Sequence, residues 1–125
     1  MPWFLNSDKP IYLQLMERIE QDIITGRYLP GDKLPSVRDL AVEAAVNPNT
    51  MQKAMSELEQ KGLVYTKRTS GRFITEDENM IQNVKKELSV EQVRIFLDKM
   101  HHLGFSSSEI LNQVKMQDKG DNTNE

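Results

Sequence analysis

Cysteine is missing from all 125 residues, which excludes disulfides and thiolate metal sites and fits a reducing cytoplasm. Long apolar runs are missing too, since no stretch approaches the roughly 20 residues of a membrane-spanning helix. The opening "MPWFLNSDKP" lacks the basic start and extended apolar core of a secretory signal. A cytoplasmic protein with no membrane partner is therefore expected. The signatures of catalysis are also absent: there is no glycine-rich phosphate loop, no nucleophile with a spaced base and no glycine-flanked serine elbow. Neither an enzyme nor a bound cofactor is expected. His101 and His102 are adjacent, so they point to different sides of a helix, and they have no cysteine partner or spaced carboxylate. They read as surface histidines and not as a metal site. There is no internal repeat.

What is present is charge, unevenly spread. The net charge is −3. Residues 1–75 carry ten basic and nine acidic residues, whereas residues 76–125 carry six and ten. Within 47–75 the balance is five to two, so a locally basic segment sits in a mildly acidic chain. Such a segment permits a polyanionic partner.

Hydrophobic spacing divides the chain. Trp3, Phe4 and Leu5 lie on an arm too short to fold alone, which should pack onto the body or a partner. Residues 8–25 read as a first helix capped by Ser7 or Asp8, with Tyr12, Leu15, Met16, Ile19 and Ile23 as its apolar stripe. Pro30-Gly31 marks a turn. Ser36-Val37-Arg38-Asp39 has capping-box spacing and opens a short second helix, with Leu40, Ala41, Ala44 and Ala45 facing inward. A third runs from Asn47 to about Lys61, where Gly62 ends it. "LVYTKR" and "RFIT", separated by Ser70-Gly71, then read as a hairpin. Three helices followed by a hairpin are the layout of a winged helix-turn-helix.

The remainder is helical, with one stripe at Met80, Ile81, Val84 and Leu88 and another at Val93, Phe96, Leu97, Met100 and Leu103. Ser89-Val90-Glu91-Gln92 again has capping-box spacing, which suggests a break or kink near Ser89. Gly104 stops the helix, and Ser106 begins a last one bearing Ile110, Leu111 and Val114. The expected organisation is mainly α. A winged helix-turn-helix over 1–75 precedes a helical dimerisation segment over 76–118 and a frayed tail over 119–125.

The third helix starts as "NPNTMQKAM". Asn47 suits the N-cap, and Pro48 suits the first helical position, where a missing N–H costs nothing. Met51, Ala54, Met55 and Leu58 fall on one face and must pack inward. The polar front fits a major groove, where amides and hydroxyls meet the donor and acceptor pattern of base edges. Asn49, Thr50 and Gln52 suit that task, and Lys53 adds a charge for phosphate or guanine. A solvated cap is the bland alternative. Arg38 favours the DNA reading, because in a helix-turn-helix it lies beside the third helix, where a guanidinium reaches phosphate or guanine. Its bland alternative is a surface pair with Asp39 or Glu43. Lys67, Arg68 and Arg72 surround the hairpin tip and suit the neighbouring backbone or minor groove.

From Pro10 to Thr75 the sequence strongly resembles the DNA-binding domain of the GntR family of bacterial transcription regulators. The matches are Pro30-Gly31, Leu34-Pro35-Ser36, Arg38, Leu40-Ala41, Asn47 to Thr50, Ala54, Leu58, Gly62-Leu63 and Gly71 with Phe73. The short helical tail with Leu103-Gly104-Phe105 is similar to the YtrA-type subfamily. The resemblance implies a homodimeric repressor on a palindromic operator, often controlling transporter genes. Carried over by position, it places DNA contacts at Arg38, Asn47, Asn49, Thr50, Gln52, Lys53 and around Gly71. The chain departs from the family pattern at Thr69, where glycine is usual, and at Arg72, where a small residue is usual. Arg72 is expected to add a phosphate contact.

The tail carries too many apolar side chains for isolated helices in water. Helix-on-helix dimerisation through Ile81, Val84, Leu88, Val93, Phe96, Leu97 and Met100 is the expected role, and packing within one subunit is the alternative. About fifty residues are too few for a separate effector domain. A small-molecule effector would need a cavity between subunits. The seven methionines could line one, although methionine is more often adaptable core filler. The rival to a DNA-binding regulator is a winged-helix module whose third helix contacts protein. The two differ in salt response, which is steep for phosphate contacts.

Overall fold

The structure, a computed structural model, describes residues 3–121. It is mainly helical. The elements run α1 (Ile11–Ile24), α2 (Val37–Ala44), α3 (Pro48–Gln60), β1 (Val64–Lys67), β2 (Gly71–Ile74), α4 (Glu78–His102) and α5 (Ser107–Asp121). The chain divides into two compact units, one running to Lys85 and one starting at Lys86. That division falls ten residues beyond the change in composition at 75.

The first unit is a winged helix-turn-helix. Its core is built from Leu15 and Ile19 of α1, Leu40 of α2, Met51, Met55 and Leu58 of α3, and Leu63, Val64 and Ile74 from the hairpin region, all essentially inaccessible. Burying each such side chain contributes about 1.5–3 kcal/mol. The apolar face of α3 falls where its spacing places it, packed against α1 and α2.

α1 begins at Ile11, later than the sequence suggests, with Pro10 in the N-cap place and no side-chain cap. A proline pushes the residue before it out of the helical region, so Lys9 and Asp8 cannot join the helix. The chain before α1 is tied down by the buried Gln14 instead. Its Oε1 accepts from the Asn6 N–H at 2.9 Å, and its Nε2 donates to the carbonyls of Asn6 and Lys9 at 2.8 and 2.9 Å. Trp3 is buried, with the Arg18 guanidinium 4.7 Å above its ring, while Phe4 stands in solvent.

α2 is capped as its spacing indicates, Ser36 Oγ accepting from the Asp39 N–H at 3.0 Å. It ends on Ala45 in the left-handed region, φ 60°. Only Val46 separates that residue from the Asn47 cap of α3, which makes the turn between the two helices tight.

The hairpin pairs Val64 with Ile74, Tyr65 with Phe73, Thr66 with Arg72 and Lys67 with Gly71. Arg68, Thr69 and Ser70 form the tip, closed by Ser70 N–H to Lys67 O at 3.1 Å. Thr69 adopts φ 67°, a conformation awkward for a β-branched residue and the reason glycine suits this place. A third extended segment adds to the outer edge of β2. Ile74 N–H donates to Asp32 O at 2.8 Å, Leu34 N–H to Arg72 O at 2.9 Å, and Lys33 bridges Phe73 in antiparallel sense.

α4 starts on Asp77, whose Oδ1 accepts from the Asn79 and Met80 N–H groups at 3.0 and 3.2 Å. It then runs unbroken to His102. The kink expected at Ser89 does not form: the Ser89 hydroxyl donates to the Lys86 carbonyl at 2.7 Å within the helix, a local bond that satisfies it without ending the helix. Gly104, φ 98°, stops α4. Ser106 and Glu109 then form a reciprocal capping box, with Glu109 N–H to Ser106 Oγ at 3.2 Å and Ser106 N–H to Glu109 Oε1 at 2.9 Å. α5 continues to Asp121, past the expected end at 118. The rest of the expected frayed tail, 122–125, lies outside the described residues.

Candidate nucleic-acid interface

Asn47 and Pro48 fix the front of α3. The Asn47 side chain accepts from the Asn49 N–H at 2.7 Å, and Pro48 occupies the first helical position. That bond satisfies one N-terminal donor. Asn47, Asn49, Gln52 and Lys53 are exposed, and Thr50 is half-buried. The Asn49 side chain has no partner among the described residues, Gln52 donates to Ser56 Oγ at 3.2 Å, and the Lys53 ammonium rests 4.1 Å above the Tyr12 ring. The front of α3 thus presents amides, a hydroxyl and an oriented cation to solvent, while its opposite face closes the core.

Arg38 is exposed in the first turn of α2. It pairs with neither of the acids near it in sequence. Glu43 is taken by Arg27 at 3.3 Å, and the Arg38 guanidinium has no ion pair or hydrogen bond among the described residues. An exposed arginine without an internal partner is available for an external anion.

The finger formed by β1 and β2 is asymmetric. Arg68 at its tip is exposed and unpaired among the described residues. The Lys67 ammonium lies 4.6 Å from the Phe73 ring centroid, and Tyr65 stacks on Phe73 at 5.9 Å. Arg72 is engaged within the chain through its Nε. Its Nε donates to Glu59 Oε1 at 2.8 Å, and Thr66, its cross-strand partner, donates to the same carboxylate. Charge alone suggested a phosphate contact there. An acid thirteen residues earlier matches that charge, a pairing that only the folded chain brings about.

The hydrogen bonds from Thr66 and Arg72 hold the Glu59 carboxyl below the usual carboxylate range. A group whose folded-state pKa is depressed stabilises the fold above its unfolded value, about 4.3 for glutamate, and loses that contribution as pH falls through the folded value. The wing should therefore loosen from α3 only in acid. Glu59→Gln should abolish an acid titration of the Thr66 and Arg72 amide signals that lies below the usual carboxylate range in NMR spectra. If the variant keeps that titration, Glu59 is not the clamp.

The tail residues fall into two groups. Ile81 and Val84, expected at a dimer interface, are buried within the single chain. Ile81 borders a hollow of about 170 Å³ with Ile23, Tyr28 and Pro30, so these two side chains have little surface left for another subunit. Leu88, Leu97 and Met100 are half-buried, and Val93 and Phe96 remain 55 % and 40 % exposed. Val90, Leu103, Phe105, Leu111, Val114 and Met116 are exposed as well. No helix among the described residues is long and apolar enough to cross a membrane, and no cluster of His, Asp and Glu among them could hold a metal.

A tight helix-turn-helix with a polar, exposed second-helix front and a cationic β-finger defines a DNA-binding transcription regulator. Residues 11–74 match the family described as bacterial regulatory proteins, gntR family, and the chain belongs to that family. It is 41 % identical to the HTH-type transcriptional regulator YhcF of Bacillus subtilis, over 91 % of this chain and 94 % of that protein. It is 34 % identical to the HTH-type transcriptional repressor YtrA of the same organism, over 87 % and 85 %. A GntR family transcriptional regulator from Listeria monocytogenes superposes with TM-score 0.81 at 38 % identity, covering 90 % of this chain and 98 % of that one. The AraR DNA-binding domain, solved in complex with operator ORX1, superposes with TM-score 0.54 at 29 % identity over 60 % and 95 %. The protein is a transcription regulator with a DNA-binding helix-turn-helix, and not an enzyme.

Proposed function

We propose that the protein is a homodimeric repressor, acting in the cytoplasm, whose two α3 helices enter successive major grooves of a palindromic operator. The single observation that carries this reading is the exposed, capped front of α3 beside an Arg38 that has no partner among the described residues. In this arrangement Asn49, Thr50 and Gln52 meet base edges, while Lys53, Arg38, Lys67 and Arg68 meet phosphate or guanine. Asn47 and Gly71 hold the backbone at the two contact points, and Arg72 holds the wing to α3. The repressor assignment is supported by the likeness to YtrA, and the operator by the AraR complex. Dimerisation is supported by the exposed apolar side chains of the second unit.

Selection of duplexes from a random-sequence pool by the purified protein is the direct test. The expected product is an inverted repeat whose half-sites lie about 34 Å apart or a multiple of that. Enrichment of a single unrepeated half-site would remove the dimer. Enrichment of nothing would overturn specific DNA binding and favour a protein-contacting α3.

A further inference from the structure

Lys33 escapes a sequence reading because it sits in the turn-rich "PGDKLP" between α1 and α2. In the fold it is mounted on the edge of the wing. The bonds from Leu34 N–H to Arg72 O at 2.9 Å and from Ile74 N–H to Asp32 O at 2.8 Å hold its backbone in antiparallel register with Phe73. Directly paired residues on neighbouring strands point to the same face. Lys33, Phe73, Tyr65, Lys67 and Gly71 therefore share one face of the wing, and the Glu59 clamp lies on the other.

Gly71 is the gap in that face. A Cβ placed on it would stand 3.2 Å from Lys33 Cε and 3.9 Å from Lys33 Nζ. The Lys33 stem thus lies across the place where any other residue would carry a side chain, and Lys67 is the cross-strand neighbour of the same glycine. Lys67 rests on the Phe73 ring, and neither ammonium has an ion pair among the described residues. The face consists of two cations bordering a stacked aromatic pair. The nearest acid in sequence, Asp32, is turned back to accept from the Leu29 N–H at 2.7 Å.

We propose that Lys33, reaching through the gap at Gly71 toward Lys67, completes a seat for a backbone phosphate of the DNA flanking each half-site. The inference rests on the DNA-binding reading above. Charge complementarity selects the occupant: both side-chain cations on this face are ammonium groups, which bind phosphate as point charges and carry no base-reading geometry. Lys33 consequently adds affinity without sequence preference.

The test uses the full chain and the duplex it selects, with affinity measured by fluorescence anisotropy from about 50 to 200 mM salt. Lys33→Gln should flatten the slope of log affinity against log salt by about 0.9 and so shrink the affinity loss across that range about 3.5-fold. Base preferences should not change. Lys33→Arg should keep the wild-type slope, as should Lys85→Gln on α4. An unchanged slope in Lys33→Gln, together with weakened binding in Arg38→Gln, would overturn the phosphate seat and leave the DNA reading standing. Failure to select any duplex, or a wild-type affinity indifferent to salt, would overturn the DNA reading itself. An equal flattening in Lys85→Gln would reduce the effect to overall charge and likewise overturn the seat.

Discussion

Phe96→Asp is expected to convert the protein to a monomer and to weaken operator binding by roughly 10²–10⁴-fold, the gain that linking two binding modules supplies. Phe96 lies on α4 one helical turn from Val93 and Met100, on a stripe facing away from the ladder in which Arg94 meets Glu91 at 2.6 Å and Asp98 at 2.9 Å. That ladder satisfies the solvent side of the helix. The stripe has no such partner: Phe96 is 40 % and Val93 55 % exposed, although helices with this much apolar surface are stable in water only when packed. In the proposed dimer an aspartate at 96 would place a charge among joined apolar surfaces, at a desolvation cost. Lys99 lies one turn on and can support the helix in the monomer, so folding should survive. Sedimentation velocity reads the outcome, and an unaltered sedimentation coefficient would place the interface elsewhere.

Arg38→Ala is expected to cost about 1–3 kcal/mol of specific binding and to relax preference at one position of each half-site, if its guanidinium reads a base edge. The structure makes Arg38 the sharpest probe of the interface. It is exposed and makes no bond among the described residues, and Arg27 pairs with Glu43, one of the two acids near Arg38 in sequence. Its removal should therefore leave the melting temperature of the free protein where it was, and any loss of binding reports on DNA alone. Repeating the selection with the variant separates two modes of action. Equal weakening across all sequences would assign Arg38 to phosphate, and unchanged affinity would remove it from the interface.

The parts of this fold that could be read from sequence are those governed by nearest neighbours. Asn47 and Pro48 announce the start of α3 because capping and ring geometry are local. Ser36 and Asp39 do the same for α2, and Ser106 and Glu109 for α5. Local spacing also misled: the run from Ser89 to Gln92 has capping geometry, but it lies inside a helix whose i−3 carbonyl satisfies the hydroxyl. What stayed hidden depends on distant partners. The pairing of Arg72 with Glu59, the burial of Ile81 and Val84, and the extended edge segment carrying Lys33 arise only once the chain has closed on itself. The candidate site was legible as a set of polar and basic residues. Which cations are free and which are engaged inside the protein was not.

Glu59 has a consequence for the DNA the protein accepts. Its carboxylate belongs to the helix proposed to enter the groove, and its donors Thr66 and Arg72 belong to opposite strands of the finger. On the DNA-binding reading, helix and finger are expected to meet the double helix as one coupled gauge, with less freedom to follow an ill-fitting site separately. Sequences whose groove width or twist misplaces the outer backbone by an ångström or so would pay in deformation, so the protein should discriminate among sites at base pairs it never touches.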